Sequence, residues 1–432
     1  MTPSLAVIGG SRLLVRFGAP LLLLVLALPL ICAHVFSTND AFDEVNYHRP
    51  IIATMAADFP AVDLVNYNAA MAPGYHVAMA SVLRFSGSWA AVRAANLTIG
   101  VLLVVVAGHV AWQLSRAPSA ALTSLAVAAS SYVVSGSVWL TTDNLGLLFA
   151  MTSLSVLLLG KSTPAKSLAS GAGGALAALV RQIHVWTAAP IAMNALWPGV
   201  TARRDWTPHR LGSVAAAALP VLAVGALVLL WGGLLPPRFV GHHGGWNHAA
   251  FVFGLALIGV YGTPWLFLSR TDTHRAITSG AGAAVFQLTA LAAIVPSSYD
   301  VQGGRWGGWL WEVVRRTPTV LNRSVLLGSL AIVGAATLAT LWHRAENRGR
   351  TRECGLILVG LFSWMAAQSA NFQVWQRYFE PATLIFLSWL IALAPPPLDN
   401  ARWVLPLAMV GLMLVTTVLL VHGDVYGLVR AR

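Results

Sequence analysis

Apolar runs of about 18 or more residues, the length a helix needs to cross hydrocarbon, recur along the whole 432-residue chain. They predict spans at 13–36, 92–115, 118–139, 142–160, 167–183, 184–198, 211–232, 250–269, 276–296, 324–342, 354–371, 381–395 and 402–422. The fifth and sixth are short and read as a hairpin that need not cross fully. The segment 69–84 is apolar too, but it carries Pro73, Gly74, His76 and Arg84. That make-up suits a helix lying on the membrane surface, with a true span as the alternative. The runs lack period-two alternation, which excludes a transmembrane barrel.

Composition agrees. The chain is 57% hydrophobic and 10% charged, with a mean hydropathy of +0.70. The expected fold class is an all-α polytopic membrane protein with about thirteen transmembrane helices and an extracytoplasmic first loop containing interfacial helices. A net charge of +12 does not point to nucleic acid, because the basic residues are scattered over short loops, where they set topology and meet anionic lipid. Arg12 and Arg16 precede an apolar core that could pass for a signal peptide. At 18–36 it is long enough to span, so a retained anchor is expected. Cys32 and Cys354 fall on opposite faces of this layout, and no disulfide is expected.

Charge orients the layout. With the N-terminus in the cytoplasm, fifteen of the 27 Lys and Arg but only five of the 15 Asp and Glu fall in inner loops, as the positive-inside rule requires. Alternating the spans then puts every chemically loaded segment outside: the 37–91 loop, Thr141–Asn144, Arg181–His184, the loop 233–249, the Trp-rich loop 297–322 and Asn371–Pro381.

The first of these is the richest. Five of the 15 carboxylates lie in 40–75, and carboxylates beside a bilayer are costly enough to suggest function. Adjacent Asp43 and Glu44 cannot share one face of a helix. One could therefore meet an acceptor hydroxyl as a base while Arg49 or His48 holds the other; simple solvation is the alternative. Asp143, in WLTTDNLG, is either an N-cap or a second site carboxylate or donor-phosphate neighbour. Arg181, with Gln182, interrupts an apolar stretch, so it either meets an anion such as a lipid-linked phosphate or pairs with an acid. In GHHGGWNH, adjacent His242 and His243 cannot easily share a metal, and no nearby Cys or acid completes a set. A sugar contact through Trp246, Asn247 and His248 competes with a plain loop. Arg377 and Tyr378 open a late span in QRYFEP, where the guanidinium fork suits a phosphate or pairs with Glu380. The tryptophans of QGGRWGGWLWEVVRR read as a headgroup belt.

Several of these fragments resemble one family. FDEVNYHRP followed by APGYH, which supplies His48 and Tyr75, is similar to the DE-x-F-H-x-P and PPG-x-Y opening of the dolichyl-phosphate-glucose-dependent α-1,2-glucosyltransferases. TTDN resembles that family's YTD hairpin, LVRQIHVW its RQ-x-x-x-W segment, WNH its SNH loop and QRYF its RYF-x-x-P segment, in the family's order. Here one extra residue separates DE from the histidine, and Trp375 stands where the family has an acid. The DE element is shared across the GT-C superfamily of membrane glycosyltransferases.

The resemblance implies a GT-C-like fold and an inverting transfer of a monosaccharide from a polyprenyl-phosphate donor to a glycan, lipid-linked oligosaccharide or protein hydroxyl. Asp43 would be the base, with Arg377 or Arg181 on the donor phosphate. No cofactor or metal is needed, although Asp43 with Glu44 could hold a divalent cation. The corresponding division is 1–36 as anchor, 37–91 as catalytic loop, 92–232 as a transmembrane module and 233–432 as a C-terminal transmembrane module with donor and acceptor loops. The alanine- and arginine-rich, lysine-poor composition fits a bacterial plasma membrane. The rival class is a multi-pass transporter or flippase, which would place its polar residues at mid-membrane.

Overall fold

The computed structural model describes residues 5–160, 163–197, 208–240, 245–297, 307–396 and 403–426. His242 and His243, the basic stretch 201–207 and the QGGRW part of the Trp-rich loop lie outside them. Among the described residues helix follows helix, apart from a ribbon that pairs Thr319–Val320 with Arg323–Ser324. Six helices among the described residues are long and apolar enough to cross a membrane: Gly9–Ala33, Trp89–Ser115, Arg210–Trp231, Ala249–Phe267, Val325–Glu346 and Val404–Tyr426. Two bent pairs, Pro118–Ala128 with Ser131–Val138 and Arg270–Thr278 with Gly280–Ile294, turn by 53° and 80° and bring the number to eight if each counts as one span. The chain is an all-α, multi-pass integral membrane protein.

Among the described residues the predicted runs fall largely on helix, but 118–139 and 276–296 are broken by the bends, and some helices are short, such as Asp143–Leu158 with 16 residues and Pro164–Val180 with 17. In the 69–84 region the helix is Gly74–Ser86, 13 residues, or about 20 Å long and short of a crossing. Gly87 ends it at φ +64°, with its N–H on the Leu83 carbonyl; this left-handed stop is cheap for glycine.

The residues form two compact units. One comprises Met1–Ala19, Ala107–Tyr132 and Gly245–Leu414. Lipid is as apolar as a leucine side chain, so membrane helices associate through close packing of small residues and polar contacts. Here Ala249–Phe267 crosses Val325–Glu346 so closely that a Cβ on Gly259 would lie 2.1 Å from the Leu330 carbonyl oxygen, and one on Gly334 2.1 Å from that of Leu255. Arg344 binds Ser269 Oγ at 2.9 Å, Asp272 at 3.0 Å and the carbonyls of Ala394 and Pro395 at 3.1 and 2.7 Å. Trp311 is buried, stacked on Phe253 at 4.8 Å. It belongs to the core and not to a headgroup belt.

The other unit comprises Pro20–Val106, Val133–Gly244 and Val415–Arg432. A Cβ on Gly171 of Pro164–Val180 would lie 2.4 Å from the Ala216 carbonyl oxygen, and the Ser167 and Ser213 hydroxyls bond at 2.6 Å. Asn96, buried in Trp89–Ser115, donates to the carbonyls of Gly136, Ser137 and Trp139, each at 3.1 Å. Those carbonyls end the Ser131–Val138 helix and have no partner of their own along it. The side chain fixes where the following residues, Leu140 among them, are presented.

Candidate functional site

In the second unit Asp43 is half-buried at the start of a helical stretch. A π-helical turn, Glu44–His48, follows, with the Arg49 N–H on the Glu44 carbonyl, and then the helix Arg49–Asp58. Glu44 turns inward and is 1% exposed. Arg93 makes an ion pair with one carboxylate oxygen, and the Leu140 N–H donates to the other at 2.9 Å. A second nitrogen of Arg93 donates to the Val138 carbonyl at 2.7 Å. Burial pushes the Glu44 pKa up, against the pull of the Arg93 charge, the Leu140 N–H and the Arg49 charge. One of the two adjacent acids is thus held as expected, but the partner is Arg93, which sequence reasoning missed. Its signal was an arginine inside the run 92–115.

His48 is buried and its Nδ1 lies 2.8 Å from His76 Nε2. His76 Nδ1 in turn bonds the Tyr67 hydroxyl. Burial, then the neighbouring His48, hold the His76 pKa well below the ordinary 6.5, while burial raises that of Tyr67. Tyr67 therefore keeps its proton and can donate it to Nδ1. A neutral imidazole has one donor and one acceptor, so Nε2–H then points at His48. Tyr75, also buried, donates to Asn96 Oδ1 at 2.9 Å. Gln182 clamps the chain before it: its Oε1 accepts from the Ala72 N–H at 2.9 Å, and its Nε2 donates to the carbonyls of Ala70 and Leu234 at 2.9 and 3.0 Å.

Asp143 opens the Asp143–Leu158 helix without capping it. Its carboxylate makes an ion pair with Arg181, at the C-terminal end of Pro164–Val180. Pairing with an acid was one alternative for Arg181; for Asp143, expected as an N-cap or a site carboxylate, the pairing was not foreseen. The same unit holds an apolar groove of about 520 Å³, lined by Met79, Ile99, Leu145, Phe149, Leu176 and Val180 among others. Four helices contribute to it: Gly74–Ser86, Trp89–Ser115, Asp143–Leu158 and Pro164–Val180. Leu145 and Val180 lie within a turn of Asp143 and Arg181 in sequence.

Trp246, Asn247, His248, Arg377 and Tyr378 belong to the other unit. Trp246 is exposed and donates to His248 Nδ1 at 2.8 Å. Asn247 donates through its backbone to the Ser369 carbonyl at 2.8 Å and through its amide to that of Phe372 at 2.7 Å. These bonds join the WNH loop to the segment that leads into QRYFEP. There the Arg377 guanidinium lies 5.3 Å from the Trp375 ring and 4.9 Å from that of Tyr378. Glu380 is buried and accepts from Ser130, Tyr261 and Gln376, each at 2.7 Å, and from Trp309. This cluster of neutral donors was not foreseen. Among the described residues no three of His, Cys, Asp and Glu converge as metal ligands.

No protein-family model matches the sequence, and no curated protein sequence matches it. Among solved structures, the chain is similar to ArnT from Cupriavidus metallidurans in the apo state, with 15% identity over 87% of this chain and 76% of that one and a TM-score of 0.39.

Proposed function

We propose that the protein is an inverting glycosyltransferase of GT-C type with about thirteen membrane spans. It moves a monosaccharide from a polyprenyl-phosphate carrier to an acceptor hydroxyl at the extracytoplasmic face of a bacterial plasma membrane. The main support is the apolar groove of about 520 Å³, formed by the same unit that carries Asp43, Asp143 and Arg181. An isoprenoid chain needs an apolar channel, and its sugar phosphate needs a polar site at the channel's end. The order of the DE, TTDN, RQ and QRYF fragments supports the same reading.

Glu44, with both oxygens taken, positions the turn, and half-buried Asp43 is the base. Asp43 takes the acceptor's proton as the hydroxyl oxygen bonds the anomeric carbon from the face opposite the phosphate. The carbon–oxygen bond to phosphate breaks, and the polyprenyl phosphate leaves with the electron pair. One displacement inverts the centre. Arginine charge stabilises the leaving phosphate.

The test is donor consumption by the purified protein across a panel of polyprenyl-phosphate sugars. Asp43→Asn loses roughly 10²- to 10⁴-fold in turnover, the usual worth of a general base, while still folding. Unaltered turnover in that variant, or no donor consumed by the native protein, rejects the reading.

A further inference from the structure

Arg49 differs from its neighbours. Three other well-buried arginines, Arg93, Arg181 and Arg344, each meet a carboxylate: Glu44, Asp143 and Asp272. Arg49 is half-buried, yet among the described residues no carboxylate, carbonyl or hydroxyl accepts from it. Its guanidinium lies 4.7 Å from the Trp89 ring and 5.6 Å from that of Phe36, and Arg93 lies 4.9 Å from Phe36. Glu44 feels the Arg49 charge, but both its oxygens are committed to Arg93 and Leu140. Two guanidiniums thus act on the Glu44 carboxylate, and its oxygens bond only one of them, which leaves the N–H groups of half-buried Arg49 without an acceptor among the described residues.

The aromatic contacts give that charge a shape. Rings attract a guanidinium through its face, and a face held by rings leaves the N–H edges to hydrogen-bond outward. The planar fork matches two oxygens of a phosphate or carboxylate. Trp89 is the first residue of the Trp89–Ser115 span, so Arg49 stands at the level where tryptophan meets the headgroup layer. Phosphate is the abundant anion of that layer.

We infer that Arg49, steadied by Trp89 and Phe36, is an oxyanion-binding residue whose ligand is a lipid-borne phosphate at the membrane surface. The inference deepens the proposed function, on which it rests for one of two sources of that phosphate, the polyprenyl carrier. The other is a phospholipid of the surrounding leaflet. Arg181 is the weaker candidate, because a phosphate there would have to approach Asp143.

Calorimetric titration of the full-length protein with farnesyl phosphate, and with farnesol as the same chain without the anion, isolates the phosphate contribution. Mass spectrometry of the lipids retained from nanodiscs containing phosphatidylglycerol, or the phosphate-free diglucosyl diacylglycerol in its place, reads the second source. Arg49→Gln weakens farnesyl phosphate binding on the order of 10- to 100-fold, the worth of a charge-assisted hydrogen bond, and leaves farnesol binding alone. Arg49→Lys, which keeps charge and stem but loses the fork, falls between. Loss confined to phosphatidylglycerol retention supports the same site with a leaflet headgroup as its ligand.

Equal loss of farnesol and farnesyl phosphate binding in Arg49→Gln would mean a packing role and overturn the inference. So would native protein that distinguishes neither phosphate probe from its control, or variants indistinguishable from it. If Arg49→Gln fails to fold, the comparison is made between Arg49→Lys and Trp89→Leu, which removes the ring from the guanidinium; both must weaken farnesyl phosphate selectively. Binding is read without turnover, so a failed sugar-transfer assay leaves this result interpretable.

Discussion

Removing Arg93 should expose how much the inward-facing carboxylate of the first loop depends on a partner 49 residues away in sequence. Glu44 is 1% exposed and the Arg93 side chain 15%, so neither is screened as a surface pair would be. Exposed ion pairs are worth about 0–1 kcal/mol, whereas breaking a buried one by deleting a single partner costs about 3–5 kcal/mol, because the other charge stays buried. Arg93→Met keeps much of the apolar stem and loses the charge together with the bond to the Val138 carbonyl. It belongs in the 3–5 kcal/mol class at neutral pH. Glu44→Gln leaves an amide oxygen for one donor and should cost less, roughly 1–2 kcal/mol.

The pH dependence sharpens the prediction. Burial already holds the Glu44 pKa above its ordinary 4.5, and the largest opposing influence is the Arg93 charge. In Arg93→Met the folded-state pKa rises further. A carboxyl whose folded pKa exceeds its unfolded one binds its proton more tightly when folded, so stability rises as pH falls through the folded pKa towards 4.5. The deficit of Arg93→Met should therefore shrink on acidification. The Arg93→Met, Glu44→Gln double variant should be less damaged than the two single costs added together. Thermal unfolding in detergent at several pH values measures all four proteins. Additive losses with a pH-independent deficit would refute the buried-pair account.

Other outcomes follow from other elements. His76→Gln should flatten the pH dependence of stability: above 6.5 the native chain benefits from its neutral His76, and as pH falls below it the unfolded chain takes a proton the folded one refuses. Hydrogen exchange over 67–86 at pH about 7.5 and about 5.5 would show this, and parallel slopes in both proteins would count against it. Gly259→Ala places a methyl 2.1 Å from the Leu330 carbonyl and should cost roughly 1–3 kcal/mol through forced separation of the helices; an unchanged Tm would contradict that crossing. For Arg377, the phosphate contact expected from sequence predicts a raised KM for donor with kcat less affected in Arg377→Ala, and an unchanged KM would remove that role.

Much of the fold was legible because a membrane span is written as an uninterrupted apolar run, and among the described residues such runs lie largely on helix. The 80° bend after Thr278 was not, because Ser279 and Gly280 permit a break without announcing its size. The site was legible by residue type and largely illegible by partner. Asp43 and Glu44 stood out, but local reasoning offered Glu44 the adjacent Arg49 or His48, and the fold chose Arg93. His48 instead joins His76 and Tyr67, and Glu380 takes neutral donors.

The departures at Glu44 and His48 share a local setting. The stretch Glu44–His48 is a π-helical turn, which holds one residue more than an α-helical turn does, as single-turn π-bulges do inside helices. A residue added to an α-helix would rotate everything after it by about 100°. A wider turn confines the offset to those five residues. Glu44 can then face Arg93 and Leu140 while His48, within the same turn, still reaches His76 at 2.8 Å. Deleting one residue of the turn, Asn46 for instance, should preserve both contacts only if a plain α-helix already sufficed. If the turn is what reconciles them, the deletion breaks one or the other, and crosslinking between cysteines placed at 48 and 76 would tell which.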